Sequence, residues 1–255
     1  MGFTGWDPEG TDAGVGLSSA SWCGLLDGRG LRPLDRVVVH LPTGREFLYL
    51  YCALQKLGVF PILALAPHRR LEIDHFVKLA DAVAYFGSDP ALAAEVREAN
   101  PVLRDTFMLG ELQGTKASAP PPPIAVDPTD PCVLLLSGGT TGIPKLIPRT
   151  HNDYLYNSRA AAAVQDITSE SRQLCVLPLA HNMPLACPGV QGFLMAGARI
   201  VIGTSTKAPD VFELIEKHQV SHVGGVPALY IRWLADPSSG RHDLSSVKLL
   251  QSGGQ

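Results

Sequence analysis

Nine consecutive residues, Ser137-Gly138-Gly139-Thr140-Thr141-Gly142-Ile143-Pro144-Lys145, gather glycines, adjacent threonines and a lysine into one short stretch. Glycines let backbone N–H groups approach an anion closely, threonine hydroxyls donate hydrogen bonds, and Lys145 adds a full positive charge. The stretch follows the apolar run Val133-Leu134-Leu135-Leu136, which predicts a buried strand, and it precedes a helix expected from about His151. This chemistry suits the phosphates of a nucleoside triphosphate. The Walker A spacing is not met, because Ile143 and Pro144 separate Gly142 from Lys145 and Leu146 follows. A solvated Gly/Thr turn is the plainer alternative, and the composition directly after a buried strand argues against it.

A second constellation is Leu179-Ala180-His181-Asn182-Met183-Pro184-Leu185-Ala186-Cys187-Pro188-Gly189. It follows a strand expected to end at Pro178 and opens a helix, so its side chains fall where a ligand could lie. His181 and Asn182 are polar groups in an apolar segment and need partners if buried. From spacing alone, nearby backbone could supply those partners. A third stretch, Gln251-Ser252-Gly253-Gly254-Gln255, follows the apolar Val247–Leu250 and reads as a strand running into Gly-Gly, where open α/β sheets build ligand crevices.

The nine residues 137–145 resemble the phosphate-binding signature of the adenylate-forming superfamily, which includes acyl-CoA synthetases, luciferases and the adenylation enzymes of nonribosomal peptide synthesis. The resemblance implies ATP and Mg²⁺ as cofactors. It gives Ser137, Gly138, Gly139, Thr140, Thr141, Gly142 and Lys145 to the phosphates, and Gly253 and Gly254 to the underside of the adenine. The segment from His181 to Gly189 is similar to the His-Asn-x-Pro-Leu-x-x-Pro-Gly segment of the aryl-acid-activating branch, which loads dihydroxybenzoate or salicylate for siderophore synthesis. Every fixed position is matched.

By that resemblance His181, Asn182, Met183 and Cys187 line an acyl pocket. Asn182 would meet the ortho-hydroxyl side of the acid, and His181 would sit near the carboxylate and nucleotide, with Lys145 and His181 the catalytic pair. Cys187 stands where the dihydroxybenzoate enzymes resemble one another in having serine. A thiol is a weak hydrogen-bond partner and behaves as a small hydrophobe, so salicylate is expected over 2,3-dihydroxybenzoate. A 2,3-dihydroxybenzoate ligase and another acyl-CoA synthetase-like enzyme remain the alternatives. Amino-acid activation is disfavoured, because Asn182 lacks the charge that an ammonium would require. Fatty-acid activation would need a long apolar tunnel that these residues do not reveal. The implied acceptor is a carrier-protein phosphopantetheine thiol or coenzyme A. Further family motifs fall beyond position 255, so the resemblance implies an N-terminal fragment that does not adenylate by itself, with an inactive relic as the non-enzyme alternative.

Composition narrows the remaining classes. The chain has 255 residues, 45% hydrophobic and 18% charged, as in an ordinary globular protein. A net charge of −3 and a pI near 6.2 offer no basic surface for nucleic acid. Five cysteines, Cys23, Cys52, Cys132, Cys175 and Cys187, are odd in number and scattered, which suggests neither a disulfide framework nor a zinc site and fits a reducing compartment. Met1–Ser19 lacks a basic flank with an apolar core, and no apolar run approaches membrane-spanning length. A cytoplasmic protein with no membrane partner is the expectation.

The elements that must carry these stretches alternate. Residues 36–41 predict a strand, Thr43-Gly44-Arg45-Glu46 a capping box, and the spacing of Phe47, Leu48, Leu50, Tyr51, Leu54 and Leu57 a helix stopped by Gly58. Strands are expected over 59–65, 82–86, 173–177, 198–203 and 220–226, with helices over 73–80, 90–100, 151–165 and 189–195. A helix should start near Asp210 and another at Pro227. The fold class is therefore α/β, with mostly parallel sheets flanked by helices, as in part of the N-terminal domain of an adenylate-forming enzyme. Residues 1–30, rich in Gly, Ser and Asp, are read as irregular. Residues 31–119 form a first βα block, 120–130 a proline-rich connection, and 131–255 a second block carrying both the phosphate loop and the aryl-acid segment.

Overall fold

A computed structural model describes residues 14–114, 124–137 and 144–253. Contacts divide the chain into two compact units, one over Val15–Tyr154 and the other over Leu155–Gln255, with the division inside one helix. Each unit is an α/β layer structure around its own sheet.

In the first unit, helix α1 (Gly14–Gly28) precedes strand β1 (Arg36–His40), α2 (Arg45–Lys56), β2 (Phe60–Leu63), α3 (Arg70–Ala80), β3 (Ala84–Gly87), α4 (Pro90–Ala99), β4 (Asp105–Met108), α5 (Leu109–Gln113), β5 (Pro131–Leu136) and β6 (Leu146–Thr150). The sheet runs β4-β3-β1-β2-β5-β6. All neighbours are parallel except β5 and β6. Central strand β1 is Arg-Val-Val-Val-His because both of its faces are covered, and Val37, Val38 and Val39 are buried. Helix α3 lays Ile73, Phe76 and Val77 onto Val38, Ile62 and Tyr85. Each such side chain contributes about 1.5–3 kcal/mol on burial.

Helix α4 starts where Pro90 at its first turn and Asp89 as cap dictate, Asp89 accepting from the N–H of Ala91 at 2.9 Å. The N-cap position falls one residue later than the expected Thr43. Helix α2 begins at Arg45 with Gly44 as its N-cap, which has no side chain to accept, and Glu46 pairs with Arg45 instead.

Helix α1 corrects the reading of residues 1–30 as irregular over its own span. Trp22, Cys23 and Leu26 are buried, and Arg29, just past the helix, forks onto Asp105 at 2.6 and 2.7 Å while lying over the Phe107 ring. Tertiary burial overrides the poor helix propensity of its glycines and serines. The 120–130 boundary is also corrected: β5 and β6 complete the first sheet, so the first unit continues to Tyr154. Strand β5 pairs with β2, and hydrogen bonding within one sheet outweighs the proline-rich connection between them. Of that connection, 115–123 lie outside the described residues.

Helix α6 (His151–Val164) leads into the second unit, which holds β7 (Arg172–Cys175), α7 (Asn182–Ala186), α8 (Gly189–Met195), β8 (Arg199–Ile202), α9 (Ala208–His218), β9 (His222–Gly225), α10 (Pro227–Ala235) and β10 (Leu249–Ser252). Its sheet runs β10-β9-β7-β8, and all of its pairs are parallel. One face packs Leu174 and Val223 against Val211, Phe212 and Ile215 of α9 and Trp233 of α10. On the other face, Phe193 of α8 meets the ring of His222 edge-on at 5.2 Å. Helix α9 starts at Ala208, two residues before the expected Asp210, which instead occupies its first turn. Because β8 lies on one side of β7 and β9 on the other, the order reverses between β7 and β9, the position at which open α/β sheets place ligands.

Candidate functional site

The phosphate-loop residues Gly138, Gly139, Thr140, Thr141 and Gly142, and Gly254, lie outside the described residues. The base of the loop is described. Ser137 N–H donates to the Lys145 carbonyl at 2.9 Å, and Lys145 N–H donates to Ser137 Oγ at 3.0 Å. These bonds continue the antiparallel ladder in which Leu136 faces Leu146. The sequence led directly from strand to helix at this point, whereas the structure inserts β6, and Ser137 and Lys145 close the root of the β5–β6 pair. The alternation that would have revealed β6 is broken by Pro148. Lys145 is exposed.

In the second unit, the ends of β7, β9 and β10 bring together several residues singled out in the sequence. Helix α7 begins at Asn182 with His181 as its N-cap, and is followed by the cis Cys187–Pro188 peptide and α8. Two side chains of α6 hold its far end: Asn157 Nδ2 and Ser158 Oγ both donate to the Ala186 carbonyl, at 2.6 and 3.0 Å. Gly189 sits at φ +52°, and a Cβ there would meet the Pro184 carbonyl oxygen at 2.5 Å. Glycine is therefore required at the turn between α7 and α8.

Asn182 is half-buried, and its Oδ1 is buried without a hydrogen-bond partner among the described residues. Met183 reaches across to β10, its Sδ lying 3.3 Å from where a Cβ on Gly253 would stand. This brings a substrate-pocket candidate against an adenine-loop candidate. His181 is exposed overall, yet the part of its ring against the protein lowers the imidazole pKa. The ring is thereby biased toward the neutral form, which accepts a hydrogen bond as readily as it donates one.

Two residues that sequence reasoning passed over belong to this region. Gln251 Nε2 donates to the Cys187 carbonyl at 2.7 Å, tying β10 to the segment after α7. Gln173, in β7, lines a small cavity with Met183, Gly224 and Gln251. The available signal was a glutamine within an otherwise apolar strand. Cys187 is half-buried, while Cys175 is buried, and burial pushes its thiol up to about 12. Among the described residues, no cluster of three or more His, Cys, Asp or Glu side chains could hold a metal ion. No helix among them is long and apolar enough to cross a membrane.

A β5–β6 hairpin root closed by Ser137 and Lys145, and a parallel α/β unit in which Asn182 Oδ1 has no partner among the described residues, are features of an α/β ligand-binding protein. The sequence of residues 22–255 matches the AMP-binding enzyme family, and the chain belongs to that family.

Relatives include triostin synthetase I of Streptomyces triostinicus, 44% identical over 240 residues that cover 90% of this chain and 45% of that protein. The 2,3-dihydroxybenzoate-AMP ligase of Bacillus subtilis is 40% identical, over 88% of this chain and 44% of that protein. The salicyl-AMP ligase / salicyl-S-ArCP synthetase of Mycobacterium tuberculosis is 37% identical, over 90% and 43%. The chain thus spans a little under half the length of these relatives. Among solved structures, apo MbtA of Mycobacterium smegmatis superposes with a TM-score of 0.89 at 36% identity, covering 99% of this chain and 49% of that one.

Proposed function

We propose that the protein activates an aryl acid, salicylate in preference to 2,3-dihydroxybenzoate, as its acyl-adenylate. The observation that carries this reading is the buried Oδ1 of Asn182, which has no hydrogen-bond partner among the described residues. A buried amide oxygen without a partner costs about 1–3 kcal/mol, and the ortho-hydroxyl of a bound acid would relieve that cost. The relatives named for 2,3-dihydroxybenzoate and for salicylate support the same substrate class.

In the proposed reaction a carboxylate oxygen bonds to the α-phosphorus of ATP, and the bond from that phosphorus to the bridging oxygen of pyrophosphate breaks. A thiol, from a carrier protein's phosphopantetheine or from coenzyme A, then takes the acyl group, and AMP leaves. This chemistry asks for alignment and charge neutralisation more than for covalent help from the protein. Lys145 and the loop donors serve the leaving phosphates, where Mg²⁺ would add further charge neutralisation. By the family resemblance, Gly253 and Gly254 would serve the adenine, and His181, whose burial favours the neutral ring, would serve the carboxylate without adding a competing charge.

The test is ligand-linked stability, since a ligand that binds only the folded state raises its melting temperature. A hydrolysis-resistant salicyl-adenylate analogue is expected to raise Tm, while palmitoyl- and aminoacyl-adenylate analogues leave it unchanged. Absence of a shift with every analogue at saturation would sink the proposal and leave the inactive-relic reading standing.

A further inference from the structure

Strand β7 buries a glutamine whose amide oxygen has no partner among the described residues. Gln173 is 5% exposed, and its Oε1 is buried without a hydrogen-bond partner among the described residues. It lines a small cavity of about 10 Å³ with Cys175, Met183, Gly224 and Gln251, room for one water-sized group. The neighbouring donors are engaged elsewhere. Gln251 Nε2 donates to the Cys187 carbonyl at 2.7 Å, and the Cys175 thiol donates to the Leu177 carbonyl at 3.6 Å. Gly224 presents no side chain, and a Cβ built on it would find only Gln251 Oε1, at 4.0 Å. A buried acceptor on a residue that lines a small cavity between β7 and β9 calls for a group that donates.

We propose that Gln173 is a specificity-determining residue that accepts a hydrogen bond from a second polar substituent, hydroxyl or amino, on the ring of the bound acid. Met183 of the acyl segment lines this cavity. Its unbranched thioether can change rotamer to let a ring edge approach. The proposal rests on the aryl-acid reading and narrows it. The acid carries its extra donor at ring position 4 or 5, away from the carboxylate and away from position 3, which the family resemblance sets against Cys187.

The experiment is calorimetric titration of the 255-residue chain and its Gln173→Leu variant with salicylate, 2,4-dihydroxybenzoate, 2,5-dihydroxybenzoate and 4-aminosalicylate. At least one donor-bearing acid should bind the parent chain about tenfold tighter than salicylate, as a satisfied buried acceptor warrants. In the variant that advantage should vanish while salicylate affinity is kept. The unliganded variant should melt at the same temperature or higher, because an apolar side chain removes the unsatisfied atom; if leucine does not fold, Gln173→Met takes its place. Salicylate binding with no donor-bearing acid tighter, or an advantage that survives the substitution, overturns the role of Gln173 alone. Failure of salicylate itself to bind overturns the aryl-acid reading, and this inference with it.

Discussion

At the scale of single residues, the proposed function gives substrate selection to Cys187 and Asn182, and burial sets the reactivity of the cysteines. Cys187→Ser supplies a hydroxyl where the thiol is a poor partner. A net hydrogen bond of about 0.5–1.5 kcal/mol should move the affinity ratio of salicylate to 2,3-dihydroxybenzoate about two- to tenfold toward the latter. Competition titration measures that ratio, and an unchanged value removes Cys187 from the pocket. Reactivity follows burial: desolvation lifts the Cys132 and Cys175 thiols to about 12, so almost no thiolate is present at neutral pH. At pH 8 a maleimide should leave both unlabelled in the native chain and label both after denaturation, as mass spectrometry of the peptides will show. Early labelling of Cys175 would mean that β7 is not covered as described.

At the scale of elements, the α7–α8 turn is the most constrained piece near the acyl segment. Gly189→Ala places a methyl against the Pro184 carbonyl at 2.5 Å and also puts alanine at φ +52°. The two effects together should destabilise the chain by roughly 2 kcal/mol or more. Urea denaturation gives the value, and a change below a few tenths would show that the turn relaxes freely. Helix α4 offers a smaller, independent check. Asp89→Ala removes the acceptor for the N–H groups of Ala91 and Leu92 at 2.9 and 3.3 Å and should cost about 1 kcal/mol in the same assay.

At the scale of the whole molecule, buried histidines set the acid limit of stability. His40 of β1 and His222 of β9 both have lowered pKa values, chiefly from burial. His40 keeps its Nδ1 on the Tyr85 hydroxyl at 2.9 Å, and His222 keeps its Nδ1 on Ser221 Oγ at 2.8 Å. With the folded pKa below the unfolded one, the unfolded chain binds protons first as pH falls. The stability contributed by the neutral rings is therefore present above the ordinary histidine pKa of about 6.5 and is lost on acidification through the folded values. Tm should fall between pH 7 and pH 5, before carboxylates titrate, and His222→Asn should flatten that slope. A profile that is flat over this window in the parent chain contradicts the assignment.

Periodicity alone placed most of the helices and strands. An apolar run is a strand or a helix face wherever it is packed, and this is why β1, α3 and α9 are legible in Val37–Val39, Ile73–Val77 and Val211–Ile215. The local motifs also survive translation into three dimensions: Ser137 and Lys145 hold each other across a loop root, and the His181–Gly189 segment opens a helix at a strand end. Only tertiary structure could decide which strands share a sheet. Hydrogen bonding of β5 to β2, not the proline-rich stretch between them, sets the unit boundary at Tyr154. Burial against α2, where Trp22 meets the Tyr49 ring edge-on and the Cys23 thiol donates to the Ala53 carbonyl, turned the Gly/Ser-rich residues around Trp22 into a helix. The amide oxygens of Gln173 and Asn182, unpaired among the described residues, follow the same logic, because whether a polar atom has a partner depends on what the fold brings to it, and no spacing along the chain encodes that.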